Sequence, residues 1–146
     1  MTSPLLTFDA VVHSRPAGAR LAAGTTLRGL ALQALDTAGD VVGPGFPRSF
    51  EDAATALERL DRMFFEPDGS FVWVGTSTAG PWQLDGLLAD RNGRLLYAEL
   101  KGRCPPDVLD EILATFGRPE HGLMIQLVRE AVFLDDVEFR KYAAAS

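Results

Sequence analysis

The sequence predicts an α+β fold: an antiparallel sheet made of several hairpins, packed with two to three helices in a single domain. Three observations predict it. Residues 36 to 40 (D-TAG-D), 66 to 70 (E-PDG-S) and 90 to 94 (D-RNG-R) share one turn pattern, with glycine third in a three-residue loop. This suits a type I turn followed by a left-handed residue, the join of a β-hairpin. Apolar residues recur at helical spacing in separate segments. Helices and hairpins do not alternate as β-α-β units, which separates α+β from a doubly wound sheet.

The elements follow in order. Residues 1–45 read as a β-rich segment, in which "LALQAL" suits a strand or a helix equally. "GPGFPRSF" breaks the chain, and Ser49 with Asp52 resembles a capping box. Phe50, Ala53, Ala54, Leu57, Leu60 and Phe64 then form one helical stripe. Hairpins follow around PDG and RNG. Pro105, Pro106 and Asp107 start a second helix lined by Val108, Leu109, Ile112, Leu113 and Phe116, and Gly117 with Pro119 stops it. "HGLMIQLV" and "AVFL" read as strands. Asp135 and Glu138 cap a third helix over 135–144, with Leu134 packed on Phe139. Residues 49–128 are thus a helix-strands-helix-strand core.

Composition narrows function. The 146 residues carry a net charge of −6 and a pI near 4.8, with 47% apolar and 23% charged residues. That balance fits one globular domain and disfavours non-specific binding to nucleic acid or anionic membrane. The nearest thing to a basic block is Arg140-Lys141, which suits the last turn of a helix. No run approaches the roughly 18 apolar residues that span a bilayer. The lone cysteine, Cys104, fits a reducing cytoplasm and reads as a buried or incidental thiol, not a nucleophile. His13 and His121, without a cysteine pair, do not suggest zinc. "GTSTAG" (75–80) reads as a plain loop between strands, and Phe64, Phe65, Phe71, Trp73 and Trp82 as cross-strand packing.

The chemistry-bearing stretch is "WQLDGLLADRNGRLLYAELKGR", residues 82 to 103. A three-residue RNG loop pairs Asp90 with Arg94 and sets Asp85 opposite Glu99. Lys101 then shares their face with Gln83, Tyr97, Leu87 and Leu95, while Leu84, Leu88, Leu96, Ala98 and Leu100 take the other.

Asp85 in "QLDG", with Glu99 and Lys101 in "AELKG", resembles the signature of the PD-(D/E)XK nuclease superfamily. The resemblance covers roughly residues 49–128. It implies that Asp85 and Glu99 hold Mg²⁺ while Lys101 orients or activates a water, with Glu51 or Glu58 of the first helix joining them. The second helix, however, carries Asp110 and Glu111 and no Lys, Arg or Gln to hold a phosphate.

The expectation is therefore a small acidic module that binds another macromolecule or itself, without catalysis and without a cofactor. Its partner would be a protein or a second copy, not nucleic acid or membrane. The alternatives are a Mg²⁺-dependent nuclease-like enzyme (or an inactive relative of one) and an acidic inhibitor or immunity-type protein that blocks a basic enzyme.

Overall fold

A computed structural model describes residues 4–37 and 45–145. The strands are β1 (Leu6–Ser14), β2 (Arg20–Leu27), β3 (Leu30–Asp36), β4 (Met63–Phe65), β5 (Ser70–Ser77), β6 (Gly80–Arg91), β7 (Arg94–Cys104), β8 (Leu123–Leu127) and β9 (Val132–Asp135). They form one antiparallel sheet in the order β2-β3-β9-β8-β1-β7-β6-β5-β4. The helices are α1 (Phe50–Glu58), α2 (Pro106–Thr115) and α3 (Asp136–Ala144). The α+β expectation, with its antiparallel sheet and three helices, holds.

Period-2 alternation builds the core. Leu6, Phe8, Ala10 and Val12 of β1 are buried, as are Leu84 and Leu88 of β6 and Ala98, Leu100 and Cys104 of β7. Against this face pack Ala53 and Leu57 of α1, Leu109 and Ile112 of α2, and Phe139 of α3, all in one apolar cluster. Residues alternating with these on β1, β6 and β7 point to the opposite face, which is helix-free among the described residues. Two glycines let aromatic rings lie flat on the core face. A Cβ on Gly86 would sit 2.1 Å from the Phe71 ring, and one on Gly75 would sit 2.4 Å from Trp82.

The capping signals hold. Ser49 Oγ accepts from the Asp52 amide, and the Asp135 side chain accepts from the Glu138 amide. α2 spans the expected stretch. α1 is shorter than its stripe suggests: Arg62 takes a left-handed φ of 62°, and Phe64 lies in edge strand β4, 62% exposed. Pairing of Met63, Phe64 and Phe65 with β5 outweighs continuation of the helix.

The turns divide three ways. The pattern at 36–40 runs beyond the described residues after 37. "LALQAL" is strand, and its partner is β2, reached through a two-residue loop at Arg28 (φ 51°) and Gly29 (φ 74°). Around PDG the expectation holds: the Glu66 amide donates to the Ser70 carbonyl at 2.9 Å, and Gly69 has φ 97°.

Around RNG it is corrected. Asn92 (φ 54°) and Gly93 (φ 83°) are both left-handed, and Arg91 pairs with Arg94, so the loop has two residues. Asn-Gly is the pair that accepts two left-handed residues, and that turn matches the strand twist. Gly93 is left-handed as expected, and its amide donates to Asp90 Oδ2 at 3.1 Å.

Candidate functional site

Register fixes the site. From Arg91–Arg94 and Asp90–Leu95 the pairing jumps to Ala89–Tyr97, leaving Leu96 as a bulged extra residue. Leu95 is thereby fully buried, and Leu96 half-buried, the reverse of their expected faces. Below the bulge the ladder is regular. Asp85, Glu99 and Lys101 still share one face, because the two-residue loop and the bulge shift parity by one each.

Their pairing is nevertheless different from the expected one. Asp85 faces Lys101, and Lys101 faces Asp9 of β1 on its other side. Lys101 thus takes the register position between two acidic residues across three strands, without an ion pair to either within 4.0 Å. Glu99 lies between Leu87 and Val11, one step along. It is a diagonal neighbour of Asp85, about 7–8 Å away between backbones. Glu51 and Glu58 are exposed on α1, which covers the core face, so the sheet itself separates them from Asp85. They do not join the constellation.

Asp85 accepts a hydrogen bond from Gln83 Nε2 at 2.9 Å. It also lines a cavity of about 630 Å³ with Lys101, Asp9 and Arg103. This cavity lies at the end of the sheet where β1 begins and β7 ends. Its rim comes from Arg28 of the β2–β3 turn, Arg129 and Glu130 of the β8–β9 turn, and Tyr142 of α3. Glu99 does not line it.

One wall is rigidly tied. Arg28 Nη1 donates to the carbonyls of Tyr142 (3.1 Å) and Ala145 (2.9 Å), and its guanidinium lies 3.9 Å over the Tyr142 ring. The Tyr142 hydroxyl donates to Glu130. Burial and that carboxylate push the Tyr142 hydroxyl above its ordinary pKa, against the pull of Arg28, so it remains a donor.

Sequence reasoning missed Asp9, Arg28, Arg103, Arg129, Glu130 and Tyr142. Only Arg28-Gly29 carried a local signal, a two-residue turn with glycine second. Among the described residues no group of three His, Cys, Asp or Glu side chains is placed to hold a metal ion. Cys104 is buried beneath α2. Burial first, then Asp107 and Asp110, push its thiol up to about 12, so it is not a nucleophile at neutral pH. "GTSTAG" proves to be the tight β5–β6 turn, where Ser77 Oγ accepts from the Ala79 amide at 3.1 Å.

His13 sits on the helix-free face, 3% exposed, between the rings of Tyr97 and Phe133. Its Nε2 meets Gln126 Oε1 at 2.9 Å, and Nδ1 is buried without a partner. An amide oxygen accepts, so Nε2 donates in this geometry, and burial favours the neutral form of the ring. Burial depresses its pKa below 6.5, partly offset by the Gln126 bond. As pH falls through 6.5 the unfolded chain takes the proton first, so stability drops until the folded pKa is reached. Urea midpoints at pH 7.5 and 5.5 should differ more in the wild type than in His13→Asn. An equal difference would remove His13 as the cause.

Against protein-family models, curated proteins and solved structures, the chain shows no match.

Proposed function

We propose that this chain is a non-catalytic binding module whose recognition site is the charged cavity together with the helix-free sheet face that runs into it. The observation that carries this reading is Lys101 standing between Asp9 and Asp85. A positive charge in that row opposes binding of a metal cation by the two neighbouring carboxylates. Around that row the sheet face holds half-buried Val11, Val72, Val74 and Leu87 without a helix over them, apolar surface of the kind that meets a macromolecular partner.

A metal-dependent, nuclease-like activity is the second reading. It is favoured by Asp85 and Lys101 facing each other at the cavity, with Glu99 on the same face.

Thermal melts with and without millimolar Mn²⁺ separate the two. A bound ion would stabilise the fold by mass action, about 2.7 kcal/mol at one hundred times its dissociation constant. The binding-module reading expects no shift. A shift in the wild type that is lost in both Asp85→Asn and Glu99→Gln would overturn it.

A further inference from the structure

The cavity gathers charge of a sign opposite to that of the whole chain. Arg28, Lys101, Arg103 and Arg129 line it, against Asp9, Asp85 and Glu130. That is four cations to three carboxylates in a protein whose net charge is −6, with 14 Lys and Arg in all.

The cations are not equally free. Arg28 is committed to two carbonyls and the Tyr142 ring. Lys101 is set between two carboxylates by register. Arg103 projects from β7 between Thr7 and Gln83, and Arg129 from the β8–β9 turn; among the described residues none of Lys101, Arg103 and Arg129 makes an ion pair within 4.0 Å. Two unspent guanidiniums therefore converge on one hollow. Each can offer a planar fork of donors, a geometry that matches phosphate oxygens. The carboxylates are partly spent: Glu130 accepts from Tyr142, and Asp85 from Gln83. Asp9 and the remaining lone pairs of Asp85 are left to accept from hydroxyl or amide groups.

From this arrangement we infer that the cavity binds a phosphate monoester. Arg103 and Arg129 hold the phosphoryl group at the rim. Asp9 and Asp85 accept hydrogen bonds from the hydroxyl or N–H groups of the moiety that carries it. Phe8 and Gly102 supply an uncharged floor. The ester comes either as a free small molecule or as a phosphoserine on a protein partner, since both present the same dianion next to donor groups.

This inference rests on the binding-module reading above. Isothermal titration calorimetry at about 0.15 M salt tests it, with ribose 5-phosphate, a short phosphoserine peptide, their unphosphorylated forms, and inorganic phosphate as titrants. One of the two esters should bind with a dissociation constant below about 1 mM, and the unphosphorylated forms should not bind. A preference for ribose 5-phosphate assigns a free metabolite, and a preference for the peptide assigns a protein partner. Arg103→Gln and Arg129→Gln should each weaken binding about tenfold or more, and the double variant should abolish it. Arg59→Gln, at the far end of α1, should leave it unchanged.

Absence of ester binding overturns the inference, as does binding that survives the double variant. Inorganic phosphate binding as tightly as the esters overturns the role given to Asp9 and Asp85. If the esters fail while Mn²⁺ produces no shift, only this inference falls. A Mn²⁺ shift lost in both Asp85→Asn and Glu99→Gln removes the binding-module reading as well.

Discussion

Gly102→Val should cost about 3 kcal/mol or more of unfolding free energy in urea, and should loosen the pairing of β6 with β7. Gly102 lies between Lys101 and Arg103 with φ 138°, a conformation that L side chains rarely adopt. A Cβ there would sit 2.2 Å from the Gln83 carbonyl oxygen and 3.3 Å from Leu84 Cα. Both neighbours are backbone, so no rotamer change relieves the overlap; the strands must part. Gly93→Ala provides the contrast. Its φ is 83°, but a Cβ would meet nothing within 4 Å, so backbone strain alone should cost roughly 1 kcal/mol. Equal losses in the two variants would mean that backbone conformation, and not the close approach of β6, dictates glycine at 102.

Phe139→Ala should lose about 3–5 kcal/mol, because the ring is 1% exposed and the site cannot collapse onto it. The Phe139 ring meets Phe8 edge-on at 5.3 Å and stacks near Tyr142 at 6.4 Å. Those two residues are the floor and one wall of the charged cavity. The same variant should therefore weaken ester binding even under conditions where it remains folded. Phe139→Leu keeps most of the apolar volume and should lose roughly half as much stability. Denaturant titration with an unchanged m-value would show that the native state is destabilised without a change in compactness. A loss below about 1 kcal/mol for the alanine variant would contradict the packing of α3 on β1.

Particular residues show why some of this was legible in the sequence. Ser49, Asp135 and the Pro105-Pro106 start bound their helices correctly because capping is settled within three or four residues. The PDG turn was legible for the same reason. The RNG turn was not, because Asp-x-Asn-Gly satisfies two turn grammars at once. The choice between them came with a bulge at Leu96, which lets Leu95 enter the core. The shared face of Asp85, Glu99 and Lys101 was legible from alternation alone, whereas their partners across the strands were not.

By itself, then, the sequence determined the α+β class, the antiparallel hairpins, the caps of the helices and the common face of the three charged residues. Each of these follows from spacing and local chemistry. Only the tertiary structure decided that Asp9 stands on the far side of Lys101, that Glu58 lies across the sheet from Asp85, and that Arg28, Arg103, Arg129 and Tyr142 meet around one cavity. The physical reason is distance along the chain. β1 joins β7 some ninety residues away, and Arg28 reaches α3 over more than a hundred. Burial of the whole apolar face selects such pairings, and no turn, cap or periodicity at either end records them.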